Sequence, residues 1–183
     1  MFLNSKVKGY VEIKGSVSVT DPSYDKNTWC RIDDVKLKEG TYRCRYYLGA
    51  ELGEKEIAQA KAYAKEFKKD IEEIIRQDTN DIKHRCFALE LQLKGRAFGF
   101  NSPKWKQIGE IGVDAGLAGF FWNLPDMKGD EWETFCEKMG DFSNIVYLDE
   151  NIGFWSSSGY GDGWYPVYAI KEKDEVIALK VCF

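Results

Sequence analysis

The sequence predicts an α+β domain, mostly antiparallel β sheet or sandwich, with helices set among the strands. Three observations carry this expectation. Many short segments alternate apolar with polar residues or are rich in β-branched and aromatic residues, and glycine punctuates them. A stripe at helical spacing runs over residues 54–77. The helical and extended patterns do not alternate regularly, as a doubly wound parallel sheet requires.

The first element covers residues 7–19, where Val7, Tyr10, Val11, Ile13, Val17 and Val19 alternate around Gly9 and Gly15. This predicts an opening hairpin closed by the turn Asp21-Pro22-Ser23-Tyr24. A short strand at 35–37, a turn at Gly40 and a strand at 41–48 follow. Over 54–77, Ile57, Ala60, Ala64, Phe67, Ile71 and Ile74 fall three and four residues apart, which predicts one long amphipathic helix with a solvated face of lysine and glutamate. Asp78-Thr79-Asn80-Asp81 reads as a break, and strands follow at 86–93, 108–113 and 116–121. A short helix fits 130–139, with Asp130 as its cap and Trp132, Phe135, Cys136 and Met139 as its apolar face. Strands at 145–148, 165–170 and 176–183 complete the chain, the last two joined as a hairpin through 171–174.

At 183 residues, 44% hydrophobic and 15% aromatic, the chain suits one domain, residues 1–183, with a packed core. A formal charge of −4 argues against a general nucleic-acid binder, which needs a surplus of lysine and arginine, and leaves a small molecule or a protein as the expected partner. No apolar run approaches the roughly 18 residues that cross a bilayer, and the start Met1-Phe2-Leu3-Asn4-Ser5-Lys6 lacks the apolar core of a signal peptide. A cytoplasmic protein with no membrane partner is the expectation.

Five cysteines without a CxxC pair, and one histidine, His84, suit neither zinc nor disulfides. Cys44, Cys86 and Cys182 lie in strand-like stretches and read as core. Cys30 stands between Trp29 and Arg31, where an adjacent cation would favour the thiolate, although no histidine lies near it in sequence. His84, between Lys83 and Arg85, reads as solvated.

Three segments share an unusual composition. They are residues 19–24 with Trp29 and Cys30 just beyond, residues 113–121, and the loop Tyr160-Gly161-Asp162-Gly163-Trp164-Tyr165. Each places an acid where a strand meets a turn. If the sheet brought them together, Asp21, Asp114 and Asp162 would form an acidic cluster walled by Tyr24, Trp29, Tyr160 and Tyr165, able to hold a hard cation or to perform acid/base work. An aspartate at a turn also has a plainer task, accepting hydrogen bonds from nearby backbone amides. The glycines of the loop match neither an EF-hand nor a phosphate-binding loop: the further oxygen ligands of the first and the lysine with serine or threonine of the second are absent. Tyr160 and Trp164 are the rings best placed to stack on a ligand, ahead of Trp155, Tyr165 and Tyr168.

At these residues the chain resembles a family of uncharacterised bacterial and phage-associated proteins, a domain of unknown function. The shared features are Asp21-Pro22-Ser23-Tyr24, the VDAGxAGF segment over 113–120, and YGDGxYPVY over 160–168 followed by a C-terminal hairpin. The resemblance spans nearly the whole chain and implies a common site, with the helical stretch at 54–77 an embellishment between matched parts. No cofactor or catalytic residue comes with it.

The expected function is a ligand- or protein-binding module using the acidic and aromatic rim formed by Asp21, Tyr24, Trp29, Asp114, Tyr160, Asp162, Trp164 and Tyr165. One alternative is a hydrolase in which Asp114 or Asp162 acts as base or holds a divalent ion. Another is a structural homo-oligomer subunit that buries the glycine-rich loop in its contact.

Overall fold

The computed structural model describes residues 2–124, 129–139 and 146–183. It holds eleven strands and three helices: β1 Phe2–Ile13, β2 Ser16–Thr20, β3 Ile32–Lys36, β4 Gly40–Glu51, α1 Glu54–Phe67, α2 Ile71–Ile82, β5 Cys86–Leu93, β6 Lys106–Val113, β7 Leu117–Phe121, α3 Asp130–Met139, β8 Val146–Asp149, β9 Gly153–Ser157, β10 Gly163–Glu172 and β11 Glu175–Cys182. They form a six-stranded sheet, β1-β4-β5-β11-β10-β6, and a five-stranded sheet, β3-β2-β7-β9-β8. Every pair of neighbouring strands is antiparallel, as expected of an α+β chain rich in β structure.

Alternation places the core between the sheets. Val11, Ile13, Tyr42, Leu89, Leu91 and Leu179 from the larger sheet share one buried cluster with Val17, Val19, Phe120 and Phe154 from the smaller. This is the packing of a sandwich. No helix among the described residues is long and apolar enough to cross a membrane.

The structure departs from expectation in several places, four of them in the path of the chain. The opening segments are not a hairpin: β1 pairs with β4, whereas β2 pairs with β3 and β7 in the other sheet. Between them Gly15, at φ +113°, turns the chain across the sandwich in a conformation that side chains disfavour. The helix expected over 54–77 is two helices. Lys68 adopts a left-handed conformation at φ 52° and ends α1, and Asp70 starts α2 by accepting from the Glu72 amide at 2.8 Å and the Glu73 amide at 3.4 Å. The apolar spacing continues through this corner because α1 and α2 pack against each other through Ala60, Ala64 and Ile74. Residues 78–81, expected as a break, complete α2.

The fourth departure is β9, which fills its place beside β7 because two glycines face large neighbours. A side chain on Gly119 would meet the Phe154 carbonyl and the Trp155 backbone, and one on Gly153 would meet the Phe121 ring. Outside this sheet, α3 lays Phe135 and Trp132 on Trp155 and Phe121. Cys136, expected on the apolar face, is exposed, and Asp130, expected as the cap, is already helical. The side chain of Met139, and Ile145 of the strand expected at 145–148, lie outside the described residues.

Candidate functional site

The three segments singled out in the sequence meet at one end of the sandwich, and Asp21 is the residue that joins two of them. Its carboxylate is fully buried. One oxygen accepts from the Ser23 amide at 2.8 Å, closing the turn after β2, and the other accepts from the amides of Asp114 at 2.8 Å and Ala115 at 2.7 Å, between β6 and β7. Asp21 is thus the plain turn aspartate extended to a second loop, and its charge is satisfied by backbone. The third segment is tied in by the Ser158 amide, which donates to the Gly116 carbonyl at 2.9 Å, and by the β10–β6 ladder, where Gly163 stands opposite Val113.

The glycine-rich loop is held from inside. Ser158 Oγ and the Tyr165 hydroxyl both donate to the Gly161 carbonyl, at 2.5 and 2.8 Å. Gly159 turns at φ +56°, so close to the Cys86 carbonyl that an added Cβ would stand 2.5 Å from it. Alternation along β10 then sends Tyr165 into the core, edge-on to Phe183, and Trp164 outward.

On that outward face lies a pocket of about 390 Å³ lined by Tyr24, Trp29, Cys30, Gly112, Asp114 and Trp164, among others. Trp164 stands opposite Gly112 in the ladder, and the missing side chain leaves the place that Cys30 fills: a Cβ there would be 3.1 Å from that of Cys30. The segment that carries Cys30 is pinned to edge strand β6 because the Gly112 amide donates to the Cys30 carbonyl at 2.8 Å. The rings of Trp29 and Trp164 meet at 5.1 Å, tilted by 35°, and remain 82% and 51% exposed. Burial first, then the proximity of the Asp114 carboxylate, raises the Tyr24 hydroxyl well above the usual phenol range and keeps it protonated.

Of the residues expected to form one rim, Tyr24, Trp29, Asp114 and Trp164 line this pocket. The others do not, and the three acids form no single cluster. Asp21 lies buried, Tyr165 is core, and Asp162 is exposed on the loop, where its charge falls on the Tyr165 phenol. Tyr160 packs on Phe87 and lines a different cleft of about 820 Å³ against α1 and α2. Several polar groups of that cleft serve the helices themselves: Lys69 donates to the Tyr63 hydroxyl, Gln77 to Glu73, Arg85 pairs with Asp81, and Asp70 is a cap. Among the described residues no three histidine, cysteine, aspartate or glutamate side chains are grouped to hold a metal ion.

Cys30 belongs to the pocket wall, yet the reason for suspecting a thiolate fails. The Arg31 guanidinium is taken up by Asp33, at 2.7 and 2.9 Å, and by the Tyr24 carbonyl at 2.5 Å. Cys44 and Cys86 are core, where burial pushes their thiols up to about 12 and about 11. Gly112 carried no signal in the sequence, since only pairing with Trp164 shows that its face must be bare. No family model, no curated protein and no solved structure matches the chain.

A second polar group escaped the sequence. Alternation along β5 assigns Glu90 and Gln92 to a wet face, but residues 94–105 cross over them. Glu90 is fully buried, accepts from the Tyr47 hydroxyl at 2.9 Å and lies 3.7 Å from Arg45, its Oε1 without a hydrogen bond. Lys180 donates to the Phe100 carbonyl at 2.7 Å and faces the rings of Phe100, Trp105 and Tyr168. Burial raises the Glu90 carboxyl and lowers the Lys180 ammonium. A raised carboxyl stabilises the fold fully below its unfolded value near 4.5, and that contribution is lost as pH rises through the folded value. The stability of the wild type relative to Glu90→Gln should therefore fall as pH rises above about 4.5 in urea titrations. A difference that grows with pH would contradict a carboxyl raised by burial.

Proposed function

We propose that the protein is a ligand-binding module whose site is the pocket of Trp29, Trp164, Tyr24 and Asp114. The observation that carries this is the tryptophan pair, two large rings in contact with each other and largely in water. Indole left in water forgoes burial that a packed core would supply, and here strand β6 and the tie at Asp21 hold both rings in position without covering them. Rigid strands, a flat ring surface and a few convergent polar groups are the parts of a small-ligand site. A carboxylate hydrolase needs a second acid or a metal beside Asp114, and Asp21 has both oxygens engaged by amides. A cytoplasmic setting and the bacterial and phage-associated background implied by the family resemblance belong to the same proposal.

The test is thermal unfolding against a panel of nucleotides, sugars, amines and divalent ions. A compound that binds only the folded state raises the midpoint with concentration. Trp164→Ala should weaken such a compound by about 1 to 3 kcal/mol, roughly five- to 150-fold, and leave the unliganded midpoint nearly unchanged because the ring is exposed. A stabilising compound that binds Trp164→Ala as tightly as the wild type would contradict the site.

A further inference from the structure

Resting on that reading of the pocket, we infer that its ligand is an organic ammonium cation, one bearing a methylated nitrogen such as a choline-type head group. Three aromatic residues, Tyr24, Trp29 and Trp164, line it, and among the described residues Asp114 is the only carboxylate, lysine, arginine or histidine in its lining. Aromatic faces attract cations through the ring quadrupole, with tryptophan the strongest, and a cage of such rings is the usual means of binding a quaternary ammonium.

Several other rings of the chain meet a cation from within. Lysines sit over Tyr63, Tyr10 and Phe98, and Lys180 over Phe100, Trp105 and Tyr168. Among the described residues no lysine or arginine stands over Trp29 or Trp164, and the guanidinium of Arg31, close to Trp29 in sequence, is paired with Asp33. Trp29 and Trp164 are thus exposed rings, at 82% and 51%, that lack an internal cation.

Asp114 complements them. Its amide and that of Ala115 are fixed by Asp21, so the carboxylate is presented from a turn held by backbone hydrogen bonds. An anion would face that carboxylate with no cation to offset it, and a neutral sugar would leave it without a charged partner. The net charge of −4 draws cations toward the protein as a whole.

Calorimetric titration at constant ionic strength with choline, tetramethylammonium and the uncharged choline isostere 3,3-dimethylbutan-1-ol decides the matter. The cations are expected to bind about tenfold or more tightly than the isostere. Asp114→Asn, which keeps the shape of the turn, should remove most of that preference while leaving the isostere unchanged, and Trp164→Ala should weaken both. Equal affinity for choline and its isostere would overturn the cation assignment. So would the absence of cation binding alongside a neutral compound that stabilises the protein through Trp164, and in that case the pocket itself stands. If no compound of any class depends on Trp164, the pocket falls with the cation.

Discussion

Replacing Asp21 by alanine is expected to cost about 3 to 5 kcal/mol of stability. The carboxylate is fully buried and accepts three backbone amides, and hydrogen bonds to a charged acceptor contribute roughly 1.5 to 3 kcal/mol each. The full sum will not appear. Asp114 and Ala115 are exposed, so water reaches their freed amides, and the variant no longer buries a charge. Asn at this position keeps one acceptor and turns an NH₂ toward amides that also donate, so it should lose about 2 kcal/mol. Urea midpoints with an unchanged slope would measure both. A loss below about 1 kcal/mol for alanine would mean that Asp21 is not what joins the turn after β2 to the β6–β7 loop.

Gly119→Ala is expected to destabilise by about 3 kcal/mol or more, a large effect for one methyl group. The new Cβ would stand 2.5 Å from both Cα and Cβ of Trp155 and would also strike the Phe154 carbonyl. Two of those atoms are backbone of the neighbouring strand and the third is fixed to it, so the clash is relieved only by parting β7 from β9 and disturbing the rings of Phe121, Phe135 and Trp155 behind them. Gly99→Ala is the control: its Cβ would meet nothing within 4 Å, and its stability should stay within about 0.5 kcal/mol of wild type. Similar losses in the two variants would show that the close approach at Gly119 does not govern this sheet.

Local pattern revealed much of this fold. Residues 86–93 alternate and form β5 with the same bounds, and the Lys171-to-Asp174 stretch does turn β10 into β11. What escaped depends on partners far away in the chain. The hairpin expected over 7–19 is locally reasonable, but β1 finds its partner in β4, and nothing within either strand distinguishes the two pairings. The corner at residues 68–70 hides inside an unbroken apolar spacing. The same limit applies to the site. Asp21, Asp114 and the glycine-rich loop each carried a local signal, and they do converge, but which of their side chains share a pocket is set by strand register. Trp164 and Tyr165 are neighbours in sequence and face opposite sides of β10. The burial of Glu90 and Lys180 under residues 94–105 is likewise a tertiary fact that alternation reads in the opposite sense.

The indole N–H resonances of the six tryptophans give the most direct view of where a ligand sits. In a ¹H–¹⁵N spectrum recorded with any compound that raises the unfolding midpoint, the signals of Trp29 and Trp164 should move in proportion to saturation, while those of the buried Trp105 and Trp155 stay in place. A stabilising compound that leaves Trp29 and Trp164 unmoved, and instead perturbs Tyr160 and Tyr63 in the cleft beside the helices, would contradict the assignment of the site to the tryptophan pocket.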